Sequence, residues 1–283
     1  MTENSQGLSH DAIGQIEDCL TKKLHQNSEL IKMSSDTQTA SQQKDPRSSF
    51  EHLLSLAILG DKNAQCALGY MYDDGGCLPV DYDKALYWYE KAAAAGHAHA
   101  QFRFSRHYFD GQGICQNYGE AFKWCLKAAS QGLAVAQNDL GQFYFEGKGT
   151  AQDYRKALHW FQEAGHQGDE IAQACVGWMY QKGLGVEIDY EKALFWNQLS
   201  ADQGEPYAQS NLAEMLLLGQ GTAPDPEKAY IWGSLALMRL PEGSVRGEAE
   251  ALIKAARDLL GQEQLEKSNM AINNWLPTCI NEE

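Results

Sequence analysis

Long apolar runs are missing from this sequence. None approaches the eighteen or so residues that cross a bilayer, and the opening MTENSQGLSH has neither the basic stretch nor the apolar core of a secretion signal. A cytoplasmic protein with no membrane span is therefore expected. Cysteine is present but unpatterned: Cys19, Cys66, Cys77, Cys115, Cys125, Cys175 and Cys279 form no CxxC and keep no regular spacing. That removes support for a disulfide framework or a zinc knuckle and leaves reduced, mostly buried thiols. Positive charge is also scarce. Twenty-three Lys and Arg stand against thirty-eight Asp and Glu, a formal net charge of −15, which repels phosphate backbones and anionic lipid alike. No nucleic-acid partner is expected, whereas a basic protein surface would be steered favourably.

What the sequence does have is a period. The chain is 283 residues long with 43% hydrophobic content, the composition of a soluble globular protein with a sizeable core. An Ala-Gln pair recurs at Ala64, Ala100, Ala136, Ala172 and Ala208, each step being thirty-six residues. Tryptophan keeps the step at Trp88, Trp124, Trp160, Trp196 and Trp232, and glycine at Gly60, Gly96, Gly132, Gly168 and Gly204. Each unit reads as two helices. In AQCALGYMYDDGG, Ala64, Leu68, Met71 and Tyr72 share a face, with Gly69 leaving room for a neighbouring backbone. In DYDKALYWYEKAAAAG, Ala85, Trp88, Ala92 and Gly96 step by three and four, presenting a large ring among small residues. Such a hairpin cannot bury its apolar face alone, so stacked copies are expected, giving an all-α solenoid of two-helix repeats with helical caps.

The stretch AQNDLGQFYFEGKGTAQDYRKALHWFQEAGHQG resembles the Sel-1-like repeat family, relatives of tetratricopeptide repeats, whose units read A-x-x-x-L-G-x-x-Y-x-x-G-x-G, then D-x-x-K-A, then W and a closing A-A-x-x-G. The match spans residues 64–239 as five units. Residues 50–63 read as a half-repeat cap, 240–283 as a C-terminal helical cap, and 1–49 as a short helix plus a flexible linker, with Ile13, Ile16, Leu20 and Leu24 forming its apolar stripe. Departures are local: Cys77 replaces a turn glycine, Ser105 and Ala213 the small first-helix glycine, and Leu216 the tyrosine. Pro226 takes the slot of Tyr82 and suits the first turn of a helix. The resemblance also implies a bacterial source.

Motifs for chemistry are thin. GKGT at residues 147–150 is not a phosphate loop, because Gly149 separates Lys148 from Thr150 and both flanks are helical; Gly-x-Gly recurs at Gly111, Gly183 and Gly219 as a hairpin turn. No HExxH occurs, His159 and His166 are too far apart along one helix to share an ion, and His97 with His99 lacks further ligands. No catalytic residue, metal site or cofactor is assigned. Cysteine-rich members of the resembled family are linked to β-lactam binding or hydrolysis, but they pair two cysteines within each repeat, a spacing absent here.

Function in a solenoid belongs to surface positions that the stacking register leaves free. Counting Ala64 as position one, positions three and seven of each unit lie away from the Leu68 and Tyr72 stripe and change from unit to unit. Tyr70, Phe102 and Trp178 are candidate apolar anchors, Arg106 a charged clamp, Asn138 and Gln142 hydrogen-bonding groups, and Glu214 a further member. The expected activity is a non-enzymatic adaptor holding a protein or peptide on the concave face, with a β-lactam enzyme as the alternative.

Overall fold

The computed structural model describes residues 46–76, 78–275 and 277. The Ile13, Ile16, Leu20 and Leu24 stripe, the polar linker up to residue 45 and the Cys77 turn lie outside the described residues, whereas residues 46–49, expected to be linker, open the helix Pro46–Ile58. Helices and no strands occur among those residues, in the all-α solenoid class expected from the period. None of the described helices is long and apolar enough to cross a membrane. The described residues divide into two compact units, one ending at Ala128 and the other starting at Ala129. In the first lie α1 (Pro46–Ile58), α2 (Lys62–Asp74), α3 (Tyr82–Ala94), α4 (Ala98–Asp110) and α5 (Tyr118–Ala129), which runs to the boundary. The second holds α6 (Ala134–Glu146), α7 (Tyr154–His166), α8 (Glu170–Lys182), α9 (Tyr190–Gln203), α10 (Pro206–Leu218), α11 (Pro226–Leu237), α12 (Ser244–Arg257) and α13 (Gln262–Asn274).

Most helices of the repeats start where a side chain accepts an orphan amide. Second helices are capped by Asp81, Asp153, Asp189 and Asp225, each taking the N–H three residues on, and Asn117 does the same for α5. The amides of these five residues return to carbonyls nine residues back, closing every hairpin turn: Asp81 N–H to the Tyr72 carbonyl at 2.9 Å, for example, and Asp225 N–H to that of Leu216 at 2.8 Å. First helices are capped at Asp61, His97, Asp169 and Glu205. Leu133 occupies the same slot on α6 and has no side chain able to accept. Pro226 does fill the first turn of α11, where its missing N–H has no intrahelical partner in any case.

The glutamine of each Ala-Gln pair links successive helices. Nε2 of Gln65, Gln101, Gln173 and Gln209 donates to the carbonyl eight residues back, at 3.0, 3.0, 2.9 and 3.2 Å. In the second unit, Gln167 and Gln203 then donate to Oε1 of Gln137 and Gln173, thirty residues earlier, at 2.6 and 2.8 Å. Position ninety-five is alanine, so Oε1 of Gln65 is buried without a partner.

Packing inside the hairpins corrects one expectation. Gly69 makes room for a side chain and not for a backbone: a β-carbon there would stand 2.6 Å from the Tyr89 ring, and Gly141 faces Phe161 in the same way. Where the glycine is replaced, the residue across is small, Ser105 against Cys125 and Ala213 against Gly233. In α3 and α7 the fully enclosed ring is therefore the one after the periodic tryptophan, Tyr89 and Phe161. Trp88 and Trp196 are buried, whereas Trp124, Trp160 and Trp232 are half-buried.

The Gly-x-Gly turns are structural. Gly147 and Gly149 have φ of 71° and 67°, left-handed backbone that favours glycine. At the equivalent Gly185 a β-carbon would come within 2.5 Å of the Tyr154 backbone. A phosphate would find no open loop at such a packed turn.

Candidate protein-interaction surface

On every first helix, positions five and eight are buried: Leu68 and Met71, Phe104 and His107, Leu140 and Phe143, Val176 and Met179, Leu212 and Met215. Position seven is half-buried or exposed throughout, and its chemistry changes from Tyr70 to Arg106, Gln142, Trp178 and Glu214. Position three is less free than the spacing suggests. Cys66 and Ala174 are buried, at 7% and 8% exposure, and Phe102, Asn138 and Ser210 are half-buried. A first helix in a stack touches helices on both sides, so its buried stripe is wider than that of an isolated amphipathic helix.

Several of these side chains are already engaged. Tyr70 and Arg106 belong to the first unit: the Tyr70 hydroxyl donates to Asp74 at 3.4 Å and the Arg103 guanidinium lies 5.4 Å over its ring, while Arg106 pairs with Asp110 at 3.4 Å. In the second unit, Gln142 donates to Glu146, and Glu214 accepts from Gln181 at 3.0 Å and lies 3.9 Å from the Lys182 ammonium. Trp178 packs on the core that contains Phe161 and Met179 and meets Phe145 edge-on at 5.8 Å. Phe102 is half-buried on α4 one turn from Arg106, and Asn138 on α6 likewise from Gln142.

A buried polar network in the first unit escaped the sequence reading. His107 is 2% exposed; its Nε2 lies 3.3 Å from Oδ1 of Asp73 and its Nδ1 2.9 Å from the Gln112 carbonyl. Acceptors at both nitrogens favour the doubly protonated imidazolium over either neutral tautomer. Burial opposes that charge, but the hydrogen bonds to Asp73 and Gln112 outweigh it and raise the pKa. Burial likewise works against the Asp73 carboxylate, yet His107 and then Arg103 bring its pKa down. Tyr89, fully buried, donates to Oδ2 of the same carboxylate at 3.3 Å, its own pKa pushed far up by burial and by Asp73. The visible signal was one histidine in a slot otherwise filled by Met71, Phe143, Met179 and Met215.

Comparison with known families matches the Sel1 repeat model at residues 62–97, 98–133, 134–169, 171–205 and 206–239. The chain belongs to the Sel1 repeat family. Two solved structures show the same fold. One is a Sel1 repeat protein from Oxalobacter formigenes, 30% identical with a TM-score of 0.68, covering 80% of this chain and 92% of that one. The other is a protective antigen of uropathogenic Escherichia coli displaying an SLR fold, 29% identical with a TM-score of 0.71. It aligns with 82% of this chain, which spans only 49% of the antigen's length. A comparison with curated proteins returns no match.

Within this Sel1 register the histidine pair has a defined place. His97 is not an incidental surface residue: its Nδ1 accepts the Ala100 N–H at 3.2 Å and caps α4. Burial, then His99 and Lys62, push its pKa down to about 4, which keeps the accepting nitrogen unprotonated at neutral pH. Among the described residues no three His, Cys, Asp or Glu side chains gather to hold a metal. The thiols of Cys66 and Cys175 are pushed up to about 12, foremost by burial, and so are protonated and poor nucleophiles near neutrality.

Proposed function

We propose that this Sel1 repeat chain is a non-enzymatic adaptor that binds a protein or peptide through the position-seven side of its first helices. Sel1 repeat proteins are in general protein-interaction scaffolds. The observation that carries the reading for this chain is the contrast along one helix: core positions five and eight are always buried, while position seven stays accessible and differs in every unit. A repeat array uses such variation to read a partner, since stacking alone would favour one residue type. Phe102 with Arg106 supplies an aromatic and a guanidinium one turn apart, residue types that concentrate interface energy. Tyr70 extends that surface in the first unit. Asn138, Gln142, Trp178 and Glu214 are proposed to serve in the second, with Trp178 contributing its exposed edge. The cytosol is the proposed location, with a −15 chain favouring a basic partner face.

The test replaces Phe102 and Arg106 with alanine and spares Trp178, whose ring supports the core. Helical circular dichroism is expected to be unchanged. Affinity capture from the native cell, read by mass spectrometry, is expected to lose a partner that the wild-type chain retains. Identical capture by both proteins defeats the assignment of this surface.

A further inference from the structure

A pocket of about 290 Å³ opens on the first unit between α3 and α4. Leu86, Phe104 and Ile114 supply its apolar lining, together with the rings of Tyr87 and Tyr108. Two carboxylates complete the rim: Asp83 and Glu90 are seven residues apart on α3, hence on one face and roughly 10 Å apart along the axis. Both are exposed, and no ion pair holds either among the described residues. Tyr87 lies between them in the sequence and is 52% exposed, and its ring already attracts a cation, since the Lys91 ammonium lies 4.9 Å from its centre. The hydroxyl pKa of Tyr108 is raised by burial and then by the charges of Glu120 and Glu90, a mark of negative potential at the mouth. None of these groups is at position three or seven of the first helices.

The volume is at the lower edge of small-ligand sites and suits a single long side chain. An acidic or phosphorylated side chain would meet two carboxylates, and a purely apolar one would leave both unpaired. A cation on an aliphatic stem meets every wall: methylenes on Leu86, Phe104 and Ile114, the charged head between tyrosine and carboxylate. We propose that this pocket receives one arginine side chain from a basic segment of a protein partner, a proposal that rests on the chain's reading as a protein-binding module and names the partner's chemistry. Arginine fits better than lysine because its planar guanidinium stacks on an aromatic face while donating two parallel hydrogen bonds to a carboxylate. The second carboxylate then attracts a further basic residue of the same segment.

The full-length chain, labelled with nitrogen-15, is titrated with N-acetyl-arginine N-methylamide and with its citrulline counterpart, which keeps the shape and loses the charge. Saturable amide shifts are expected on α3 around residues 83–90 and on α4 near Phe104 and Tyr108, with citrulline at least ~10-fold weaker. Asp83→Asn combined with Glu90→Gln is expected to weaken the arginine probe ~5–10-fold, and Tyr87→Ala by a similar factor. Both variants change exposed groups, and unchanged circular dichroism checks their fold. Equal binding of citrulline, shifts confined to other helices, or full affinity in the double variant overturns the pocket. A lysine probe binding as tightly as arginine overturns the choice of guanidinium. The Phe102 and Arg106 variant keeps its arginine-probe binding if the pocket is right, whatever becomes of partner capture. Full partner capture by the Asp83→Asn and Glu90→Gln variant would overturn the pocket alone and leave the position-seven surface standing.

Discussion

Tyr89 lays its ring over the bare α-carbon of Gly69, where a β-carbon would stand 2.6 Å from Cδ1. Gly69→Ala must therefore push apart α2 and α3, or force the fully buried ring out of its rotamer. Overpacking of this kind costs about 1–3 kcal/mol, against a small gain in helix propensity. Urea denaturation followed by circular dichroism is expected to show a lower midpoint. In a Tyr89→Ala background the same change should cost much less, since the clash has gone. Strictly additive effects in that double-mutant cycle would refute the contact as the cause.

His107 sets a second prediction, with a sign that can be worked out. Its folded pKa is raised, so its contribution is fully present below the unfolded value of about 6.5 and is lost as pH rises through the folded value. The folded pKa of Asp73 is lowered, and its contribution is lost instead as pH falls below about 4. Between those limits the pair is intact. His107→Met restores the side chain found at three equivalent slots, and the melting temperature of this variant is expected to lose the wild type's decline on the alkaline side of pH 6.5. Asp73→Asn removes the charged acceptor shared by His107 and Tyr89 and is expected to cost on the order of 1–3 kcal/mol. A parallel pH profile in wild type and His107→Met would show that the ring is not charged.

The glutamine ladder predicts both a loss and a gain. Gln173 donates to the Gly165 carbonyl at 2.9 Å and accepts from Gln203 at 2.8 Å. Gln173→Ala takes the acceptor from the Gln203 amide and removes one donor from the Gly165 carbonyl, which keeps the Gly168 N–H at 3.1 Å, at a cost of about 0.5–1.5 kcal/mol. In the first unit the ladder lacks a rung, because Ala95 cannot reach the orphaned Oε1 of Gln65. Ala95→Gln places a donor at the position held by Gln167 and Gln203 and is expected to add about 0.5–1.5 kcal/mol. Thermal denaturation of the two variants should move in opposite directions.

The period made the helix pairs and their order legible, because Ala-Gln, Trp and Gly recur in one register and stacking copies is the only way such hairpins bury their faces. Gly69 was readable as a close approach, but what approaches it was not, since Tyr89 and the periodic Trp88 are neighbours and either could have turned inward. The accessibility of the position-seven row was also readable. Position three was misjudged at Cys66 and Ala174, where helices from both sides cover a face that one helix alone would expose. His107, Asp73 and Tyr89 lie on three different helices, so their meeting has no signature in linear spacing. Only the histidine in a methionine slot hinted at it. The pocket beside Asp83 and Glu90 is of the same kind, a product of helices meeting.

The capping slot carries the remaining prediction. Asp61, His97, Asp169 and Glu205 each cap a first helix, and Leu133 leaves α6 without a side-chain cap. The Ala136 amide donates to the Leu133 backbone carbonyl at 3.0 Å; Leu133→Asp adds the side-chain acceptor of the other first helices and is expected to stabilise the chain by about 0.5–1 kcal/mol, less whatever the half-buried leucine contributes. His97 is the pH-sensitive member. It caps through an unprotonated nitrogen and its folded pKa is lowered to about 4, so the unfolded chain takes up the proton first as pH falls from about 6.5. Stability from this cap is expected to decline progressively between those values and to be fully lost below both. His97→Asp keeps the acceptor charged through most of that window. The difference in melting temperature between His97→Asp and wild type should widen from pH 7 to pH 4.5, cancelling the titration of carboxylates that both proteins share. A constant difference across that range would mean that the His97 ring does not cap through its neutral form.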